Sequence, residues 1–542
     1  MNEREQFNRL AKSYEVQTSY VDLTGRTRVA SIEVLLAVLR ALGASREQAL
    51  RKRRAAAGMT GPRTCFGAEN RKRSWGLFLP LYALWSDRNR GAGDLTDLKA
   101  FARWAGGMGA GWVSTLPLLS QFLDKPFEPS PYSPVSRLFW SEFWLDLGEL
   151  KGLPRGPWVD YRRQMALKRA VLEKRAARWV LPAGWLSEHP GTLEYARFRA
   201  ATEERGVWRR WPERMRRGEL RAGDCSERKA RVHLYAQWLV QRQMKDLRRS
   251  AAAAGTGLYF DLPLGVHPDG YDAWKEREIF VEGVNVGAPP DPFFAKGQDW
   301  GFHPIHPEKI REQGYDYWSR CLRHSMRVAS LLRVDHAMGF RRLFWIPKGF
   351  PASEGVYVRY REEEWFAVLC RESRRNHCAV VGEDLGTVPA GFRRVLRDRG
   401  IAGMFVVPFE LRPGSSRPLR RPPARSMAGL NTHDMPPFAS FWKGWKARKP
   451  LLSQLRGEGW LRPGEGDGGP EAARALLRAL AAGPARSVGV NLEDLWGERR
   501  PHNIPGRSGG RNWRRKARYS LEQFRRMERV TRVLKEMSRL RA

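Results

Sequence analysis

Eight short apolar runs recur along this chain, near residues 75–84, 112–118, 257–264, 330–335, 379–383, 403–409, 427–432 and 487–491. Each ends in Pro, Gly or a polar cluster, and helix-length stretches separate most of them, as at 94–106 and 232–253. Runs that are apolar throughout suit strands buried on both faces, which is the condition of a parallel sheet flanked by helices. Eight such strands alternating with helices predict an α/β architecture, a (β/α)8 TIM barrel with inserted helical subdomains. Buried strands and short buried helices share one signature, so the count rests on the alternation.

The spacing also predicts how the chain is divided. Residues 1–50 read as a small N-terminal helical piece, since Ile32, Val34, Leu35, Val38, Leu39 and Leu42 fall at helical spacing and Gly43 follows as a stop. Residues 51–73 are basic and punctuated by Gly and Pro, and read as a linker. The barrel is expected over 74–530, with residues 531–542 ending a C-terminal helix. The second and third runs lie too far apart for one crossover, so about 141–231 is expected to form a basic helical insertion (Tyr161–Val180, Leu193–Trp211). A second excursion, about 265–328, is rich in Pro, Gly, Phe and Trp, and long loops of that kind over a barrel mouth are commonly binding surfaces. The Gly-rich stretch 457–470 is expected to be a mobile loop.

Composition narrows the classes. A hydrophobic share of 42% and a charged share of 28% are those of a globular protein. No run reaches the roughly 18 apolar residues of a membrane span, and the polar N-terminus lacks a signal-peptide core, so a soluble, cytoplasmic protein with no membrane partner is expected. Five Cys without CxxC spacing argue against a disulfide framework or a zinc site. The 96 basic against 58 acidic residues give a formal charge of +38, which would draw polyanions in a salt-dependent way. The excess is scattered in short clusters such as Arg51–Arg54 and Arg71–Arg73, and no nucleic-acid module signature is present, so no specific nucleic-acid partner is expected. The 22 Trp divide between core packing and aromatic platforms for sugars or bases.

Three acids stand at predicted strand ends: Asp335 after the fourth run, Glu383 after the fifth and Asp434 after the seventh. In a parallel barrel such positions converge on one mouth. Paired carboxylates there suit glycoside chemistry, in which one attacks the anomeric carbon and the other protonates the leaving oxygen, about 5 Å apart when configuration is retained. Arg333 lies two residues before Asp335, on the same strand face, and is expected to hold that carboxylate ionised. Glu383 follows an apolar run and is expected to have a raised pKa. By spacing alone, the same acids would also serve as Mg²⁺ ligands or as structural ion pairs. Glu383 and Asp384 are adjacent, with side chains diverging on an extended chain.

A set of motifs in a fixed order carries a resemblance. They are Ser130-Pro131-Tyr132, Phe260-Asp261-Leu262-Pro263, Pro289-Pro290-Asp291 with Gly297-Gln298-Asp299-Trp300-Gly301, and Leu332-Arg333-Val334-Asp335-His336. Gly382–Pro389, Asn431-Thr432-His433-Asp434, and Asn503–Gly506 with Asn512-Trp513 complete the set. Over about residues 75–530 the chain resembles the bacterial 4-α-glucanotransferases, the amylomaltase or disproportionating-enzyme family. The resemblance implies a (β/α)8 barrel, a retaining double displacement on maltooligosaccharides and α-glucans, and no cofactor or metal. It implies Asp335 as nucleophile, Glu383 as general acid and base, and Asp434 as the carboxylate that grips sugar hydroxyls. Arg333, His433, Asp261 and Tyr132 are implied for the cleavage subsite, Gln298 and Trp300 for the acceptor side, and Asn503 for a glucan contact. Asp261 could otherwise cap its strand and Tyr132 could pack its loop. The tip Pro292-Phe293-Phe294 and the basic insertion depart from the family pattern. Two other readings stand beside this one: an α-1,4-glucan hydrolase on the same barrel, and a basic polyanion-binding protein.

Overall fold

The computed structural model of the chain describes residues 3–22, 25–44, 59–67, 72–153, 156–291, 294–506 and 510–542. Most of the expected linker, its Arg51–Arg54 cluster, and Pro292-Phe293 lie outside the described residues.

Each of the eight apolar runs overlaps a strand: β1 (Ser74–Phe78), β2 (Trp112–Ser114), β3 (Gly257–Leu262), β4 (Leu331–Val334), β5 (Ala379–Gly382), β6 (Gly403–Val406), β7 (Ser426–Gly429) and β8 (Ser487–Asn491). All pair in parallel in the order β5-β4-β3-β2-β1-β8-β7-β6. A parallel bridge between Val381 and Ala402 joins β5 to β6 and closes the barrel. The alternation of side chains then sorts each strand by height. Low in the barrel, Trp112, Tyr259, Val381 and Met427 form one apolar cluster, with Leu331 and Met404 packed on it. The Trp112 indole fits because residue 76 is glycine; a Cβ there would lie 2.1 Å from the ring. Its Nε1 donates to Ser487 Oγ (2.7 Å), so the buried N–H is not left unpaired.

Helix caps follow local chemistry. Asp94 caps Leu95–Gly107 in a capping box with Asp97, and Ser226 caps the 27-residue helix Glu227–Ala253. The helix Glu528–Arg541 packs on the outside of the barrel against β1, the helix Gly469–Ala482 and the turn after β8, and its last turn is tied to the lower rim. Ser538 Oγ donates to Met108 O (2.6 Å), and Arg541 donates to the carbonyls of Ser74 and Ala485. That helix starts before the boundary expected at 531.

Three regions differ from the sequence expectation. The opening piece is not wholly helical: a hairpin, Ser19–Val21 with Thr27–Val29, stands between helices Glu3–Ser13 and Ile32–Ala41. These strands have three residues each and are largely exposed, so hydrophobic periodicity gives no sign of them. The 265–328 excursion is not a plain loop. Val284–Ala288 and Gln298–Asp299 join Arg342–Pro347 and Val356–Arg359 in a four-stranded antiparallel sheet, and helix Asp316–Met326 leads into β4. The 457–470 stretch is tied down, with Arg478 donating to both Glu465 oxygens (2.7 and 2.8 Å) and Trp442 Nε1 to Asp467 O. A guanidinium fork can pin a Gly-rich segment that has no core of its own.

Candidate active site at the barrel mouth

The mouth is set by strand register. Arg333 on β4 pairs directly with Asp261 on β3, so their side chains meet on the inner face one level above the apolar cluster. Arg333 Nη1 lies 2.8 Å from both oxygens of Asp261 and 2.8 Å from Asp335 Oδ1. Tyr132 Oη donates to Asp261 Oδ2 (2.5 Å). Asp335 and Glu383 leave the ends of β4 and β5 while their backbones are still paired: Asp335 N donates to Leu262 O (3.1 Å) and Glu383 N to Val334 O (3.0 Å). Both acids are thus carried on the rigid sheet rather than on free loop.

Each of the three expected carboxylates has a different environment. Glu383 is buried and accepts two backbone N–H bonds, from His336 (2.9 Å) and Leu385 (2.6 Å). Such bonds favour the ionised form, yet burial prevails, and with the nearby charge of Asp335 it pushes the Glu383 carboxyl up to about 7. At Asp335, burial also pushes the carboxyl upward, against the pull of Arg333. The guanidinium is divided between Asp261 and Asp335, so it offsets burial rather than outweighing it, which corrects the expectation that Arg333 alone keeps Asp335 low. The Asp335 side chain keeps 23% of its surface open to the cleft. Asp434 is the most open, at 46%. Burial raises it, but His433 (Nε2 at 3.0 Å), Asn503 (Nδ2 donating to Oδ1, 2.7 Å) and Arg333 together hold it down to about 2. His433 is correspondingly raised by Asp434 in spite of its burial.

The structure separates Glu383 from Asp384. The Asp384 carboxylate points away, accepting from Arg393 Nε (2.9 Å) and from the backbone N–H of Met404 on β6 (2.7 Å). It stitches β5 to β6 where the barrel closes.

Aromatic rings line the mouth. Tyr132 stacks on His433 with centroids 4.9 Å apart and planes 12° apart, and Trp513 lies against both. Trp300 meets the edge of His336 at 5.2 Å. The sequence-predicted residues Tyr132, Asp261, Arg333, Asp335, Glu383, His433, Asp434 and Asn503 are therefore brought together, and Trp300 reaches the group through His336. Gln298 is half-buried on the antiparallel sheet, two residues before Trp300, outside that contact network. More than half of the Trp are buried in the core, so packing accounts for most of the surplus.

Two further residues hold this arrangement: His336, which the sequence marks as an orienting neighbour of Asp335 rather than a catalyst, and Arg137, which sequence reasoning missed. His336, in a left-handed conformation (φ 45°), aims its N–H at Glu383. Arg137 is fully buried and donates to the carbonyls of Pro263 (3.2 Å) and Leu264 (2.9 Å), fixing the turn that follows Asp261. An Arg within the short apolar strand Ser136–Trp140 is the signal that could have marked Arg137.

Comparison with known proteins identifies the family and the fold. The 4-alpha-glucanotransferase family model matches residues 79–522. The 4-alpha-glucanotransferase of Mycobacterium tuberculosis is 33% identical over 513 residues, covering 82% of this chain and 71% of that protein. That of Haemophilus influenzae is 29% identical over 549 residues, covering 84% and 78%. Among solved structures, the amylomaltase from Corynebacterium glutamicum superposes with a TM-score of 0.85 at 22% identity, covering 98% of this chain and 99% of that one. The amylomaltase from Streptococcus agalactiae in complex with acarbose superposes at 0.76 with 21% identity, covering 87% and 99%. The eight-stranded parallel barrel and the match over most of its length lead to one assignment: this chain belongs to the 4-alpha-glucanotransferase family.

Proposed function

We propose that the protein transfers an α-1,4-glucan segment to the 4-hydroxyl of an acceptor glucose or maltooligosaccharide, with retention. The observation that carries the residue assignment is the difference between the two neighbouring acids: burial raises both, but at Asp335 the Arg333 guanidinium in direct contact offsets the rise, while Glu383 is raised to about 7. A carboxylate beside a cation stays available as a nucleophile, and a carboxyl near 7 holds a proton to give.

Asp335 attacks the anomeric carbon as Glu383 protonates the glycosidic oxygen, and the reducing-end fragment leaves. Glu383, now ionised, takes the proton of the incoming 4-hydroxyl, whose oxygen displaces Asp335. Asp434, held ionised near 2, accepts hydrogen bonds from hydroxyls of the distorted ring. Tyr132, His433 and Asp261 shape the cleavage subsite. Trp300 and Gln298, on the antiparallel sheet beside the mouth, offer the acceptor an aromatic face and an amide. A covered aromatic acceptor site favours sugar over water as the second nucleophile. Every group this cycle calls on is a side chain, so the reading invokes no cofactor. Among the described residues no helix is long and apolar enough to cross a membrane.

Incubation with maltotriose alone, following glucose, chain length and total reducing ends, tests the proposal. Longer maltooligosaccharides with glucose at constant reducing ends are expected. Rising reducing ends would make the protein a hydrolase, and no change would leave the polyanion-binding reading.

A further inference from the structure

The exit of β8 carries two adjacent buried acids that the reaction does not use. Beyond Asn491 the chain turns tightly over Leu492–Trp496, and Asn491 Oδ1 accepts from Glu493 N (3.2 Å). The two side chains then face different loops. Asp494 accepts from Asn431 Nδ2 at both oxygens (3.1 and 3.0 Å) and from the backbone N–H of Phe438 (3.0 Å). Asn431 Oδ1 in turn accepts from Asn491 Nδ2 (3.2 Å). Asn431 begins the Asn431-Thr432-His433-Asp434 loop, so this end of the loop is fixed to β8. Glu493 accepts both guanidinium arms of Arg515 (2.7 Å each) and pairs with His502 Nε2 (2.5 Å). The His502 Nδ1 is paired with Tyr82 Oη (2.8 Å). His502 is followed directly by Asn503, whose Nδ2 donates to Asp434 Oδ1.

Two loops from distant parts of the chain thus meet in one hydrogen bond over the mouth, and one pair of adjacent acids holds both. We infer that Glu493 and Asp494 are positioning residues for Asp434: Asp494 sets the loop that carries it, and Glu493, through His502, sets the amide that orients it. The inference rests on the assignment of Asp434 as the carboxylate that grips the sugar. Its chemical basis is that a carboxylate half open to solvent has many rotamers, and a stabilising group displaced by about 1 Å can lose on the order of a hundredfold in rate. Both anchors are almost wholly buried, so their hydrogen bonds do not compete with water. Asp494 is pushed up to about 7 by burial, with the Glu493 charge adding to the push, so the anchor is itself sensitive to protonation.

The plain alternative is that these acids only hold the fold together, and a double-mutant cycle separates the two. Asp494→Asn and Asp434→Asn, singly and combined, are assayed by radiolabelled chain growth on maltotriose, with kcat referred to folded protein and Tm measured in parallel. Asn431→Ser, which removes the receiving amide from the other side, guards against misfolding of the first variant. The expected result is a kcat for Asp494→Asn and for Asn431→Ser lower by about tenfold or more. The combined variant should be no slower than Asp434→Asn alone, because the anchor acts only through Asp434. Losses that multiply in the combined variant, or a fall in Tm with kcat intact, would overturn the inference. Near-normal turnover by Asp434→Asn would overturn it together with the reading of Asp434 on which it stands, a result distinguishable from failure of the anchor alone.

Discussion

Low in the barrel, Trp112, Tyr259, Met404 and Met427 fill the interior with apolar volume; one level higher on β3 and β4, Asp261 and Arg333 occupy the equivalent inward positions. The lower end could be built from any set of side chains that fills the space, as Gly76 and Trp112 do between them. The upper end carries charge that burial disfavours and that packing alone would not place there. A barrel that concentrates its cost at one end has its chemistry at that end. The comparison predicts that lower-end substitutions change stability and leave turnover per folded molecule intact, while upper-end substitutions do the reverse.

The sharpest test is Asp335→Asn, which keeps the shape and removes the proposed nucleophile. A loss of turnover on the order of 10³-fold or more is expected, with oligosaccharide binding and Tm close to the parent. Near-full activity would refute the mechanism. Glu383→Gln comes next, with cleavage reduced by roughly 10²–10⁴-fold and partly restored by a glucosyl fluoride donor, whose leaving group needs no protonation. Its pH behaviour follows from the sign of the shift. Glu383 moves from an ordinary 4.5 to about 7 in the folded protein, so the fold retains a proton that the unfolded chain releases. Stability from this group is full below 4.5 and is lost as pH rises through 7, and the acid form needed for cleavage is lost over the same alkaline limb. Glu383→Gln should therefore melt higher than the parent at pH 8 and lose that limb of the stability profile.

At the opposite end, Trp112→Ala should cost about 3–5 kcal/mol by leaving a cavity beneath the mouth, measured by denaturant unfolding. Turnover of the folded fraction should remain within a few-fold of the parent; a collapse of kcat would show that the two ends are coupled. The smallest effect is expected at Asp384→Asn, which weakens the stitch between β5 and β6. A loss of about 1–3 kcal/mol with cleavage largely kept would sharpen the distinction from its neighbour Glu383.

The strands, the barrel and the three acids were legible because each leaves a local trace. An apolar run of the right length marks a doubly buried strand, and an acid directly after such a run marks a strand end at the mouth. The short hairpin Ser19–Val21/Thr27–Val29 and the antiparallel sheet beside the mouth left no such trace, since brief or half-exposed strands owe their pairing to neighbours rather than to their own pattern. Motif position picked Glu383 over Asp384, but the physical reason for the choice within that dipeptide is tertiary. Both are acids at one strand end, and only the closing of β5 on β6 turns one toward Arg393 and the other toward the cleft.

Sequence by itself determined the architecture and the ingredients: eight parallel strands, the positions of Asp335, Glu383 and Asp434, and the motifs that mark the family. Tertiary structure alone decided their chemical states. Sharing one guanidinium between Asp261 and Asp335, surrounding Glu383 with backbone amides and apolar volume, and meeting Asp434 with His433 and Asn503 all require residues far apart in the chain. Hydrophobic pattern is a local property that folding must obey, whereas a carboxylate's proton affinity depends on distance to charges and water, which only the folded arrangement sets.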